Sequence, residues 1–239
     1  MKKRNVAFKV GEDTLRGTLF IPDGKGPFPG VLFYHGSGSK GEKYYRAGEK
    51  FAKEGITALA FNFRGCGKSE GGYSSQTYQD AFDDALKAYD FLLSQKYVDT
   101  ARIGACGGSF GGFVVSMVLP QLKIKSLVLL SPSAHKGLLS TKIDMGSLER
   151  EVKYFAVRSN WESSESFKNI AEFKGQLLII KSENDENIPP EVPDKYYREA
   201  SQVLRKEMKV IEGADHRLSK EIWEDEFKEI ASEWFLETL

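Results

Sequence analysis

Apolar residues follow two rhythms along this chain. In 5–10 and 14–21 they alternate with polar ones on either side of Gly11-Glu12-Asp13, as a hairpin with one face in water requires. Further strands are predicted at 30–34, 56–63, 102–106, 124–130, 177–181 and 207–211, and most of these are nearly unbroken apolar or β-branched runs suited to a buried parallel sheet. Between them the period lengthens. Segments 42–53, 78–95, 110–119, 191–204 and 219–237 carry apolar residues three and four apart, such as Phe82, Leu86, Tyr89 and Leu93, or Trp223, Phe227, Ile230 and Trp234. Each set forms one stripe on a helix, the face that packs on a sheet.

The alternation of strands and helices predicts an α/β architecture: a mostly parallel eight-stranded sheet flanked by helices, with an antiparallel start. One stretch interrupts it, 133–172, where helices are predicted at 148–157 and 167–173 around the polar turn Glu162-Ser163-Ser164-Glu165. Neither a Pro/Gly-rich linker nor a repeat sets this stretch apart. It is read as a small helical cap inserted into a single domain covering 1–239.

Composition narrows the function classes. A length of 239 residues suffices for one core large enough to bury a site, and 34 Lys+Arg against 34 Asp+Glu give a formal charge of zero. That balance argues against nucleic acid or an anionic membrane as partner. Residues 1–10 are basic but lack the apolar core of a signal peptide, and no uncharged apolar run approaches the ~18 residues of a membrane helix. Cys66 and Cys106 lie far apart without C-x-x-C spacing, the pattern of reduced thiols and a cytoplasmic setting, not of a disulfide scaffold or a zinc site. Nothing in the residues calls for a metal or a cofactor.

Three glycine-rich loops compete for the chemistry. Gly36-Ser37-Gly38-Ser39-Lys40-Gly41 fits the dinucleotide pattern G-x-G-x-x-G, but Asn62 stands where a ribose-binding carboxylate belongs and no Y-x-x-x-K pair occurs. Gly65-Cys66-Gly67-Lys68-Ser69 resembles the end of a phosphate-binding loop, yet the first glycine of that motif is replaced by Asn62. A tight loop in which Arg64 makes structural hydrogen bonds is the better reading. The third loop, Gly107-Gly108-Ser109-Phe110-Gly111-Gly112, contains G-x-S-x-G between a predicted strand and a predicted helix. Small residues two before and two after the serine permit a sharp turn that projects its hydroxyl above the sheet.

A serine hydroxyl needs a base and an orienting carboxylate to act as a nucleophile at neutral pH. His35 lies upstream of Ser109 and is expected to order its own glycine loop. His135 is read as a solvated loop residue near the site, whereas His216, in Gly213-Ala214-Asp215-His216, follows the last strand. After the seventh strand come Glu183, Asp185 and Glu186. Asp185 is the preferred acid, with Glu183 as the alternative. Cys106, three residues before Ser109, is expected to be a buried apolar residue and not a nucleophile.

The order Ser109, Asp185, His216, each beyond the carboxyl end of a strand, resembles the α/β-hydrolase superfamily. The small serine-esterase and dienelactone-hydrolase-like branch is nearest, and prolyl-oligopeptidase-type catalytic domains are also similar. His35-Gly36-Ser37-Gly38, Asn62 to Ser69, Gly107 to Gly112, Asp185 with Ile188-Pro189, and Gly213 to His216 carry the resemblance over almost the whole chain. The serine at 109 departs from dienelactone hydrolases, which use cysteine, and the length leaves no room for the propeller that gates oligopeptidases. The resemblance implies a serine carboxylesterase acting on small or medium acyl or aromatic acid esters. In that mechanism Ser109 is the nucleophile, His216 the base and Asp185 its partner, while the backbone N–H groups of Ser37 and Phe110 form the oxyanion hole. Amidase, aminopeptidase or thioesterase activity would use the same residues, and a binding module without turnover is the alternative of another class. Tyr154, Phe155, Trp161 and Phe167 of the insertion would either line an acyl pocket or pack the insertion onto the sheet. The expected partner is a small-molecule ester; the pattern leaves homo-oligomerisation open.

Overall fold

A computed structural model describes residues 1–136, 139, 142 and 148–239. The remaining residues of the predicted 133–172 insertion lie outside the described ones. Eight strands form one sheet: β1 (Lys2–Val10), β2 (Asp13–Ile21), β3 (Phe28–Tyr34), β4 (Thr57–Asn62), β5 (Val98–Gly108), β6 (Ser126–Leu130), β7 (Gln176–Asn184) and β8 (Arg205–Asp215). Their spatial order is β1-β2-β4-β3-β5-β6-β7-β8. β1 pairs with β2, and β2 with β4, in antiparallel fashion; every pairing from β4 through β8 is parallel. The sheet is therefore mostly parallel with two antiparallel strands at one edge, as the two rhythms of the sequence predict.

Among the described residues, seven α-helices accompany it: α1 (Tyr45–Lys53), α2 (Tyr78–Leu93), α3 (Phe110–Val118), α4 (Leu148–Ala156), α5 (Glu165–Glu172), α6 (Glu191–Glu199) and α7 (Glu221–Thr238). Side chains alternate across each central strand and so feed two separate cores. Leu32, Leu59, Leu127 and Ile179 point to one face, where they meet Phe82 of α2, Val114 of α3, Ile170 of α5 and Tyr196 of α6. Val31, Ala58, Val128 and Ile180 point to the other, against Phe51 of α1 and Phe227 and Trp234 of α7. Helices on both faces explain why the parallel strands read as unbroken apolar runs.

Two features of this frame place the functional loops. Thr77 caps α2 with a reciprocal box: its hydroxyl accepts from the Asp80 N–H at 3.2 Å and its own N–H donates to Asp80 at 2.8 Å. Within the predicted insertion, α5 packs between α3 and α6, and Asn169 Nδ2 donates to the carbonyls of Ser116 and Met117 at the end of α3. Among the described residues, no helix is long and apolar enough to cross a membrane.

Candidate active site

β5 runs directly into α3, and Ser109 at the junction has φ 51° and ψ −120°. An L-residue at positive φ is strained by roughly 1–3 kcal/mol and persists only where its neighbours fix it. Here the Ser109 N–H donates to the Leu130 carbonyl at 2.9 Å, and its own carbonyl accepts from the N–H groups of Gly112, Phe113 and Ser133 at 2.9, 3.2 and 3.1 Å. The glycines of the motif are close-approach positions. A Cβ on Gly111 would stand 2.0 Å from the Tyr34 carbonyl oxygen, and one on Gly107 would stand 2.6 Å from the Gly111 oxygen. The turn can form only where neither residue has a side chain.

β7 and β8 bring two more side chains to the same point. His216 Nε2 lies 3.0 Å from Ser109 Oγ, and His216 Nδ1 lies 2.8 Å from Asp185 Oδ2. Asp185 Oδ1 is occupied by the N–H groups of Asn187 and Ile188 at 3.0 and 2.8 Å, which leaves Oδ2 for the imidazole. A carboxylate facing Nδ1 assigns the proton to that nitrogen, so Nε2 is free to accept from the serine hydroxyl. The side chains of His216 and Asp185 are 8% and 9% exposed, which limits competition from water for both bonds. Glu183 serves elsewhere: its Oε2 accepts the Gly213 N–H at 2.7 Å and ties β7 to the end of β8, three residues before His216. Glu186 accepts the His216 N–H at 3.2 Å.

The loop after β3 closes the other side. His35 is buried; its Nδ1–H donates to the Gly36 carbonyl at 2.8 Å and its Nε2 accepts the Phe63 N–H at 3.0 Å. Burial pulls its pKa down to about 4 although the bond to Gly36 opposes the shift. A neutral His35 thus orders the loop, the role expected from its position. Gly36 comes so near the nucleophile that a Cβ there would lie 3.3 Å from Ser109 Cβ. Ser37 and Phe110 line one crevice beside this point, and the hydroxyls of Ser37 and Tyr73 are hydrogen bonded at 2.6 Å. The Phe110 N–H is the first of α3 and has no acceptor within its own helix.

His135 corrects an expectation. Instead of lying in solvent it is buried, its Nε2 bonded to Ser133 Oγ at 2.8 Å and its ring 4.7 to 5.9 Å from those of Phe113, Tyr154, Phe155, Tyr78 and Phe110. Burial lowers its pKa to about 3. Tyr154 and Phe155 therefore take part in packing α4 onto the elbow through His135. The Tyr154 hydroxyl donates to the Asn160 carbonyl at 2.7 Å, and Trp161 Nε1–H donates to the Phe155 carbonyl at 3.0 Å. Phe167 packs against Tyr196, ring centres 4.7 Å apart.

The competing glycine loops are built as structural turns. In the first, the Gly41 N–H donates to Asn62 Oδ1 at 2.8 Å. In the second, Gly67 has φ +54° and a Cβ there would lie 2.6 Å from Asn62 Oδ1, while Ser69 Oγ donates to the Asn62 carbonyl at 2.6 Å. Arg64 forks onto Asp84, with Nε and NH2 2.9 and 2.7 Å from Oδ1, and reaches Asp80 at 2.9 Å. Both cysteines are buried free thiols; burial raises the pKa of Cys106 and pushes that of Cys66 up to about 11. Neither resembles an activated nucleophile. Residues not singled out from sequence, Tyr73, Gln76 and Ser133, also surround the site. Each stands beyond the carboxyl end of a parallel strand, the one signal that could have pointed to them.

Comparison with known proteins adds an independent line. Residues 48–239 match the prolyl oligopeptidase family. The chain is 40% identical over 106 residues to a multifunctional-autoprocessing repeats-in-toxin protein of Vibrio cholerae, covering 44% of this chain and 2% of that protein. It is 33% identical over 141 residues to esterase FrsA of Enterobacter sp., covering 57% of this chain and 33% of FrsA. The chain thus spans a third or less of these relatives' length. Among solved structures, Est1E of Butyrivibrio proteoclasticus with bound ferulic acid superposes with a TM-score of 0.76 at 19% identity, over 98% of both chains.

Proposed function

The chain belongs to the prolyl oligopeptidase family, and from that membership and the contiguous Ser109, His216 and Asp185 we propose that it is a serine hydrolase of carboxylic esters. The observation that carries the reading is the hydrogen-bonded relay from Ser109 Oγ through both ring nitrogens of His216 to Asp185. Ser109 attacks the ester carbonyl while His216 Nε2 takes the hydroxyl proton, and the imidazolium is stabilised by Asp185. Collapse of the tetrahedral intermediate breaks the bond to the alcohol, which leaves with the proton held on Nε2. Water, activated by the same nitrogen, then releases the acid and restores Ser109. The developing oxyanion is held by the N–H groups of Phe110 and Ser37; loss of one such donor typically costs about 3 kcal/mol of transition-state stabilisation.

The acid component is proposed to be a small or medium acyl group or an aromatic acid. FrsA, named an esterase, and Est1E, seen with ferulic acid, support an ester and an aromatic acid as the class to try first. The family match itself favours a second reading, cleavage of amide bonds by the same residues. Steady-state hydrolysis of nitrophenyl esters and of matched aminoacyl nitroanilides separates the two. The ester reading predicts the larger kcat/KM, relative to each substrate's spontaneous hydrolysis, for the esters; the reverse order overturns it.

A further inference from the structure

The Ser37 N–H assigned to the oxyanion belongs to the Gly36–Ser37 peptide, and a planar trans peptide points its N–H and C=O in opposite directions. The carbonyl side of this unit is held within its own loop: the Gly36 oxygen accepts from His35 Nδ1–H at 2.8 Å and from the Ser39 N–H at 3.2 Å. Gly36 and Gly38, the latter at φ +62°, give the segment little steric restraint of its own. A contact from a different loop reaches the amine side, where Ser37 Oγ and the Tyr73 hydroxyl lie 2.6 Å apart. Tyr73 is half-buried, and its backbone is fixed independently of the Ser37 loop. It opens a short helical turn, Tyr73–Ser75, in which the Ser75 N–H donates to the Gly72 carbonyl at 3.2 Å and the Gln76 N–H donates to the Tyr73 carbonyl at 3.3 Å. Gly65 makes room behind it, since a Cβ there would stand 2.2 Å from the Tyr73 nitrogen. The glycine loop after β4, which takes no part in the relay from Ser109 to Asp185, thereby seats the tyrosine against the crevice it shares with Ser37 and Phe110.

We propose that Tyr73 is a positioning residue: its hydroxyl, acting through Ser37 Oγ, clamps the Gly36–Ser37 peptide with its N–H turned toward the oxyanion. The assignment rests on the ester-hydrolase reading and deepens it, because a donor fixed beforehand stabilises developing charge without reorganising as the charge appears. Such a clamp acts on the tetrahedral species and not on the bound ester. Its loss therefore falls on kcat and spares KM.

The test measures kcat and KM for nitrophenyl butyrate in the wild-type protein, in Tyr73→Phe, in Ser37→Ala and in the double variant, with thermal unfolding as the check on folding. Alongside it runs the Ki of an alkyl trifluoromethyl ketone, whose adduct with a serine carries the same oxyanion. Both substitutions keep the Ser37 N–H and remove only a hydroxyl. Each is expected to lower kcat by about tenfold or more, short of the roughly 10²- to 10³-fold that loss of a whole donor costs, with KM within about twofold and Ki raised to match. The double variant is expected to lose no more than the larger single loss, because both changes break one bond. Wild-type kcat in Tyr73→Phe overturns the assignment. So do losses that multiply in the double variant, or a fall confined to KM with Ki unchanged, which would leave Tyr73 a part of the fold or of ester binding. Wild-type protein that is folded and turns over no ester overturns the hydrolase reading, and the clamp with it.

Discussion

Asp185 gives its two carboxylate oxygens separate tasks: Oδ1 is anchored by the N–H groups of Asn187 and Ile188, and Oδ2 meets the imidazole. Asp185→Asn should leave the loop in place and present an amide to Nδ1, favouring the wrong tautomer. Its kcat for an ester is expected to fall by roughly 10³- to 10⁴-fold, whereas Glu183→Gln, on the backbone of Gly213, should change kcat little. Steady-state kinetics of the two variants checks both. A second prediction concerns acid stability. His35 and His135 have folded pKa values of about 4 and about 3, against 6.5 when unperturbed. Well above pH 6.5 neither histidine is protonated in either state and neither affects folding. As pH falls below 6.5 the unfolded chain takes up protons that the folded chain refuses, so stability drops until the folded values are reached. In His135→Phe one of these two acid-sensitive groups is gone. Its unfolding free energy, measured by denaturant titration, should decline less between pH 7 and pH 4, by at most about 3 kcal/mol. An identical decline would contradict the assignment. At this scale the sequence reading reached Ser109 and His216 through order and loop position, and preferred Asp185 over Glu183. It missed the burial of His135, because burial there comes from rings of α2, α3 and α4 that are remote in sequence.

Element boundaries follow the same logic. Strand β5 was legible only as 102–106 because Asp99 and Thr100 are polar and interrupt the apolar run; the observed strand begins at Val98, where Val98 pairs with Phe28 before a register shift. Helix α6 stops at Glu199 and not at 204, since Ala200 leaves the helical region with ψ 75°. The joint between β4 and α2 is held by a pair that spacing could not reveal. Arg64 binds Asp84, whose side chain is 0% exposed, and the guanidinium is itself 15% exposed. Removing the cation strands a buried carboxylate, which typically costs 3–5 kcal/mol. Arg64→Met should therefore lower the unfolding free energy by about 3 kcal/mol at neutral pH. Adding Asp84→Asn to it should recover part of the loss, because the second change removes the stranded charge. Full additivity of the two losses in chemical denaturation would argue that the pair is not coupled.

Across the whole molecule, two helix layers on one twisted sheet leave the carboxyl ends of the parallel strands as the place where loops converge, and the site draws on β3, β5, β7 and β8 there. That arrangement explains why a site spread over 180 residues was legible in a linear sequence. The loops that carry Ser37, Ser109 and Asp185 follow largely buried strands, His216 follows the half-exposed edge strand β8, and the strand order does the assembly. The role of the insertion's aromatic residues was less legible for the converse reason. Their contacts depend on how the β6–β7 connection folds back, and the aromatic residues Tyr154, Phe155 and Trp161 carry the same sequence signal whether they line a pocket or pack a helix. The central claim, that Ser109 is an activated nucleophile, needs no knowledge of the acyl group. Its most direct test is intact-mass analysis after reaction with a fluorophosphonate, in the wild-type protein and in Ser109→Ala. The account predicts one stoichiometric adduct, mapped to Ser109 and absent from the folded variant. A folded wild-type protein without an adduct, or an adduct that persists in Ser109→Ala, would contradict it.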